Sequence, residues 1–352
     1  MNTSCSIKKL KETKKSYFDD AIVFSVDTNY LPFAIFVANQ IIELEPNLSL
    51  DICICTTDIK AVPKKFYDSK IRFVEIEVNG LDNLPCGRLS ASAYHRLFLP
   101  DLFAEDYRYL IYLDADTFIL KPFTEDLISY INRLDPNFSV AAAADICELQ
   151  IALLPDSKHK KTQRYVKQYH QYNHIYRNSG VLVLNVKSFI NSNALSKIMS
   201  YAFQNINELQ CHDQSALNGA LKTDIALLPF TYNWQVHKLS YDLIDDYQPY
   251  IIHFIGENKP WSLANRFTNS FTDKYVDYFN KNFENRKLEI LTPYEKRKNN
   301  PKYSNVFRES ISRNTQRAKS IIKKDSAKLS PKKKNKVKKT LDSKYFTNIE
   351  TS

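Results

Sequence analysis

Along most of the chain, short continuous apolar runs alternate with longer stretches of helical period. Ala21–Val26 is apolar throughout and closes on the polar cluster Asp27-Thr28-Asn29-Tyr30. From Pro32 to Leu44 the apolar positions take a helical spacing, with Pro32 where a first turn tolerates it. Leu50–Cys55 and Ile71–Ile76 read as further strands, Ser90–Leu99 as a helix and Tyr109–Leu113 as a strand buried on both faces. Val140–Ala144, Val181–Leu184 and Ile251–Ile255 are later strands, and Asp213–Ala220 a helix with Asp213 as a candidate cap. Strand, polar loop, helix, strand is the βαβ rhythm. The pattern predicts an α/β protein with a Rossmann-like, mixed but mainly parallel sheet flanked by helices.

The organisation follows from where this rhythm starts and stops. Residues 1–18 read as a loose, polar leader and 19–295 as one folded domain. Residues 296–352 read as a basic tail, partly helical or disordered. Among the 352 residues, 49 are Lys or Arg and 39 Asp or Glu, a net charge of +10. The tail holds 18 basic residues against 4 acidic ones, and the rest of the chain 31 against 35. A partner inferred from charge is therefore a partner of the tail. Within it, Phe307, Ile311, Ala318 and Ile322 fall near one helical face among basic residues, and Lys332–Lys339 reads as a plain charge run.

Composition removes several function classes. With 5 glycines the chain has no G-x-G-x-x-G and no P-loop motif. The six cysteines include no C-x-x-C; Cys53 and Cys55 lie two apart in a strand and read as small apolar side chains, reduced in a cytosol. The first 15 residues have no apolar core of a signal peptide, and Leu31–Leu44 is interrupted by Asn39 and Gln40 and is too short to span a bilayer.

Three clusters carry chemistry. Asp114-Ala115-Asp116 leaves the carboxyl end of the buried strand Tyr109–Leu113, the edge at which open α/β sheets bind ligands. Two carboxylates there suit a hard divalent cation, with diphosphate oxygens completing the shell. A D-x-D also opens surface loops by chance; the apolar strand before it favours the site. His253 lies inside an apolar strand and is followed by Gly256, Lys259, Pro260 and Trp261. Glycine permits close backbone approach and lysine offers a point charge to phosphate. The loop Asp27–Tyr30 offers polar groups to a base and a ring to stack on it.

Taken in order, these blocks resemble those of glycosyltransferase family 8, the retaining GT-A group that includes bacterial lipopolysaccharide galactosyl- and glucosyltransferases. The resemblance runs from about Ala21 to Trp261. It rests on Phe24–Tyr30, Ser92–Leu97, Tyr112–Asp116, Asn178–Asn185, Asp213–Asn218, Tyr232–Trp234 and His253–Trp261. It implies a GT-A fold, a UDP-sugar donor and a Mn²⁺ (or Mg²⁺) cofactor. By the family's pattern Asp114, Asp116 and His253 are the metal ligands. Tyr30 stacks on uracil, with Ser25, Asp27 and Asn29 around the nucleoside. Gly256 and Lys259 meet the diphosphate, and Arg96 lies near the diphosphate or sugar. Asp145, Asn178, Asp213 and Gln214 surround the transferred sugar. Residues Cys147–Tyr176 fit no part of the pattern, and acceptor choice is expected in such an insertion.

The resemblance also sets the expected reaction and partners. A hexose from UDP-galactose or UDP-glucose passes to a hydroxyl of a glycan or lipid-linked saccharide acceptor, with retention at the anomeric carbon. Retention follows either from a protein nucleophile, with Gln214 or Asp213 as candidates, or from attack on the same face as the leaving group. The basic tail suits an anionic membrane surface, so the expected location is bacterial and cytoplasmic, peripheral on the inner face of the cell membrane. No nucleic-acid partner is expected. The competing readings are a glycogenin-like or protein glycosyltransferase and a UDP-sugar-binding protein without turnover.

Overall fold

The computed structural model describes residues 5–85, 92–153, 175–283, 286–292, 295 and 328–342. The chain divides into two compact units, one of residues 1–234, 249–253 and 340–352, the other of residues 235–248 and 254–339.

The first unit is built on an eight-stranded sheet. Its strands are β1 (Ser6–Glu12), β2 (Asp20–Val26), β3 (Asp51–Thr56), β4 (Ile71–Asn79), β5 (Tyr109–Leu113), β7 (Val140–Ala144), β8 (Arg177–Asn185) and β9 (Ile225–Leu228), in the order β1-β4-β3-β2-β5-β8-β7-β9. Four pairings are parallel: β2 with β3, β2 with β5, β3 with β4 and β7 with β9. β8 runs against both β5 and β7, and β1 against β4. β2, β7 and nearly all of β5 and β8 are buried along their length, which is why they read as unbroken apolar runs rather than alternating ones. Cys53 and Cys55 are fully buried in one core cluster with Val23, Val74 and Tyr94. A short antiparallel pair, β6 (Thr117–Ile119) with β11 (Ile251–His253), lies after β5 in the chain and sets His253 opposite Thr117. Between them in sequence lies the two-residue strand β10 (Trp234–Gln235).

Several expectations change. Residues 6–12 are not part of a loose leader: β1 pairs with β4 from Ser6↔Asn79 to Glu12↔Val74. Its alternation of exposed and half-buried positions is that of an edge strand. The helix expected over Ser90–Leu99 is broken into Ser92–His95, a 3-10 turn Arg96–Phe98 and Leu99–Leu102. Pro100 stands in the first turn of that last piece, where a missing N–H is tolerated. Asp213 is not a cap, because its helix starts at His212 with Cys211 in the cap position. Finally, Ile251–Ile255 is a strand only as far as His253.

The second unit packs aromatic side chains around the helix Asn269–Asn282. Phe254 meets Phe271, and Trp261 meets Tyr275, each with ring centroids 5.1 Å apart. Lys332–Lys339 is more than a charge run. It lies in the helix Pro331–Leu341, in which Val337 is buried. Lys334 and Lys338, one helical turn apart, both reach Asp246 at 2.8 and 2.9 Å. Phe307, Ile311, Ala318 and Ile322 lie outside the described residues. Among the described residues, no helix is long and apolar enough to cross a membrane.

Candidate active site

The reversed direction of β8 gathers the site. β2 and β5 point their carboxyl ends to one edge of the sheet, and β8 begins there, so Val181 faces Leu113. Asp27–Tyr30 follow β2, Asp114–Asp116 follow β5, Asp145 follows β7, and Asn178, Ser179 and Gly180 open β8. β11 ends on the same side, because its His253 pairs with Thr117, one residue past Asp116.

Asp114, Asp116 and His253 each offer a ligand atom within 4.8 Å of the others. His253 Nε2 stands 3.2 Å from Asp116 Oδ1 and 3.8 Å from Asp114 Oδ2. The other ring nitrogen, Nδ1, is 2.9 Å from the buried Asn233 Oδ1. Gly180 makes the room: a Cβ there would lie 2.1 Å from His253 Cε1 and 2.9 Å from Asp114 Oδ2. Two carboxylate oxygens and one imidazole nitrogen, converging where a glycine leaves space, fit a divalent cation of the Mn²⁺ or Mg²⁺ type.

Arg96 ties the carboxylates together. It is buried, and Nη2 sits 3.0 Å from Asp114 Oδ1 and Nε 3.3 Å from Asp213 Oδ2. Nε also donates to the Ala93 carbonyl and Nη1 to the Ser179 carbonyl, while the Tyr112 ring lies 4.6 Å from the guanidinium carbon. Burial works against the Arg96 charge, but Asp114 and Asp213 outweigh it and hold the guanidinium charged far above its ordinary range. Tyr112 Oη donates to Asp114 Oδ1 at 2.7 Å. Burial lifts the Asp213 carboxyl above its usual range against the pull of Arg96.

Asp145, Asn178, Asp213 and Gln214 form one hydrogen-bonded group. Asp145 Oδ1 caps the next helix through the Cys147 N–H, while Oδ2 accepts from Asn178 Nδ2 at 2.9 Å and Gln214 Nε2 at 3.1 Å. Gln214 Oε1 accepts from the Ser179 N–H, and Ser179 Oγ donates to Asp213 Oδ2, both at 3.0 Å.

Among the expected nucleoside residues, Asp27 folds its own loop: its Oδ1 accepts from the N–H groups of Asn29 and Tyr30, each at 3.0 Å. The Tyr30 ring is 39% exposed. Its phenol is pushed up to about 12 by burial and then by Asp116, Asp114 and Asp27, so the ring shares the field of the acidic cluster. Ser25 is buried at the end of β2, and its Oγ has no hydrogen-bond partner. Gly256 and Lys259 belong to the second unit. Gly256 has φ +64 with open space where a Cβ would stand, and the Lys259 ammonium donates to the Phe254 carbonyl.

Three residues in this network carry no role in the sequence reading: Tyr112, Ser179 and Asn233. Tyr112 had a signal, because positions 112 and 114 share a strand face. A fourth is His95, buried beside Arg96 with Nδ1 unpartnered. Burial, then Arg96, brings its pKa down to about 4, so it is neutral at physiological pH.

A family model described as "Glycosyl transferase family 8" matches residues 21–264. The chain is 27% identical to "General stress protein A" of Bacillus subtilis over 225 residues, 59% of this chain and 72% of that one. It is 27% identical to "Lipopolysaccharide 1,2-glucosyltransferase" of Escherichia coli over 263 residues, 68% of this chain and 72% of that one. Its fold is similar to a crystal structure of the galactosyltransferase LgtC in complex with donor and acceptor sugar analogues. That likeness has a TM-score of 0.57 at 19% identity and covers 74% of this chain and 95% of the other. A bifunctional glycosyltransferase, WbbM, has a TM-score of 0.56 at 22% identity, covering 76% of this chain and half of the other.

Proposed function

The chain belongs to glycosyltransferase family 8, and on that premise we propose that it moves a hexose from a UDP-sugar to a hydroxyl of a surface-glycan acceptor, with retention at the anomeric carbon. The observation that carries the reading is the convergence of Asp114, Asp116 and His253 at the sheet edge that also holds Asp145, Asn178, Asp213 and Gln214. Asp114, Asp116 and His253 hold the cation. When bound, it supplies positive charge to the diphosphate leaving group. Arg96 keeps Asp114 and Asp213 in place, and Tyr112 fixes one oxygen of Asp114. Tyr30 presents its ring to the base.

Retention by attack on the leaving-group face is the better-supported route. Gln214 has its amide oxygen occupied by the Ser179 N–H and its nitrogen by Asp145. Asp213 is buried, with Oδ2 held by Ser179 and Arg96. Gln214 thus has both ends of its amide engaged, and Asp213, nearly enclosed, has one of its two oxygens committed to Ser179 and Arg96. The acceptor proton then goes to an oxygen of the departing phosphate.

Relatives named for lipopolysaccharide glucosyl transfer and galactosyl transfer support galactose or glucose as the sugar. A lipid-linked acceptor at the inner face of the cell membrane suits the basic tail, and we place the protein in the bacterial cytoplasm. The test is UDP release from a panel of UDP-sugars with Mn²⁺, run with and without a chelator. One hexose donor should be hydrolysed slowly, the chelator should stop it, and Asp116→Asn should remove metal-dependent release while keeping the thermal unfolding midpoint. Full activity in that variant would dismiss the metal assignment. Donor binding without release, with or without acceptor sugars, would point to a binding protein instead.

A further inference from the structure

We propose that Asn233 is a positioning residue that fixes which ring nitrogen of His253 faces the cation, through an amide relay running from Gly180 and Asp145 by way of Asn178. The inference rests on the metal reading above and concerns residues to which that reading gives no role toward the metal.

The order of donors in the relay is forced by ends that cannot be exchanged. The Gly180 N–H is a donor only, and it reaches Asn178 Oδ1 at 3.0 Å. At the other end of the same amide, Asn178 Nδ2 meets the Asp145 carboxylate at 2.9 Å, an acceptor when ionised. Asn178 is thereby held in one orientation, with its oxygen toward Asn233. The Asn233 group facing that oxygen at 2.9 Å is therefore Nδ2. Its Oδ1 is left to face His253 Nδ1 at 2.9 Å and can only accept. Nδ1 carries the proton, which leaves Nε2, the nitrogen beside Asp116 and Asp114, as the one whose lone pair a cation can take. A partner on the far nitrogen of a metal-binding histidine orients the ring and sets its tautomer.

The same relay links the two halves of the site. Asp145 also accepts from Gln214, Gln214 accepts from Ser179, Ser179 donates to Asp213, and Asp213 and Asp114 share Arg96. Two routes of hydrogen bonds and ion pairs thus lead from Asp145, one through Asn178 and Asn233 to His253 and the other through Gln214, Ser179, Asp213 and Arg96 to Asp114. Both Asn178 and Asn233 are buried, so water does not substitute readily for a lost member.

Two measurements on the full chain test this. First, ¹⁵N-histidine NMR of the metal-free protein in alkaline buffer reads the tautomer directly, with His253 assigned by its loss in His253→Gln. A protonated Nδ1 is expected; an unprotonated Nδ1 overturns the proposal. Second, Mn²⁺ affinity is measured by EPR titration, without donor sugar, in Asn233→Leu and Asn233→Asp. The aspartate keeps an acceptor for Nδ1–H, whereas leucine keeps only the volume. Leucine should lose about ten- to a hundred-fold in affinity, and aspartate should stay closer to the unsubstituted chain. A residue that only fills space would give the reverse order, because leucine packs and a buried charge does not. Leucine binding Mn²⁺ as well as the parent overturns the proposal. If Asn233→Leu does not fold, the tautomer still decides. If the parent binds no Mn²⁺, the metal reading fails, and the NMR result judges the relay by itself.

Discussion

A methyl group added at Gly180 would stand 2.1 Å from His253 Cε1 and 2.7 Å from its Nδ1, so the ring would have to leave. The backbone cannot yield instead, because the Gly180 carbonyl accepts from the Asp114 N–H at 2.8 Å. Gly180→Ala should therefore lower Mn²⁺ affinity at least about tenfold by disturbing a ligand's setting and cost about 1–3 kcal/mol of stability from overpacking. EPR titration and thermal unfolding check the two effects. Unchanged Mn²⁺ binding would remove the glycine from the site. At this scale Asp114, Asp116 and His253 were legible, since carboxylates at a buried strand's end and a histidine inside another are visible as exceptions to an apolar pattern. Asn233 and Ser179 were not, because their roles come from hydrogen bonds between segments more than 30 residues apart in the chain. Arg96 was legible as a site residue, but its fourfold commitment to Asp114, Asp213, Ala93 and Ser179 required the fold.

The element that the sequence concealed is β1. Its alternation is carried by lysines as well as apolar residues, so it reads as a polar leader until β4 is beside it. A buried charge cluster fastens it. Arg72 of β4, almost wholly enclosed, meets Glu12 at 2.5 Å and Asp106 at 2.8 Å, and donates to Tyr107 Oη at 2.7 Å. Burial pushes the Glu12 carboxyl up, but hydrogen bonds from Arg72 and Lys15 outweigh it and bring it down to about 2. An unfolded glutamate titrates near about 4.3. The folded value is the lower one, so the clamp's contribution is complete above that pH and disappears as pH falls toward about 2. Amide exchange over Lys8–Glu12 should accelerate in that acid window before the rest of the sheet does. In Arg72→Met this acid-dependent step should be absent; its persistence would assign the step to other groups. The helix expected over Ser90–Leu99 was misread because its apolar period is met equally by three short helical pieces.

For the molecule as a whole, the strand–helix rhythm and the order of the blocks foretold the family match, which covers residues 21–264. They did not foretell the division into two compact units, because a contact boundary that recrosses the chain leaves no mark on composition. The tail's charge makes a claim at this scale. The full chain should float with anionic vesicles at low salt, and a chain ending at residue 295 should not; flotation of both or of neither would dismiss the tail as the attachment. The edge strand has a consequence for how molecules meet one another. β1 gives the sheet a rim bearing the exposed Lys8 and Lys11, and like charges on a rim repel a second sheet. Remove residues 1–12, and β4 offers its bare N–H and C=O groups along a largely buried, β-rich sequence, Ile71–Asn79. Such a trimmed chain should self-associate strand to strand, visible as growing light scattering, whereas trimming to residue 5 should leave it dispersed. The strand Ser6–Glu12 then serves as a guard against polymerisation, a task separate from anything done at the Asp114, Asp116 and His253 cluster.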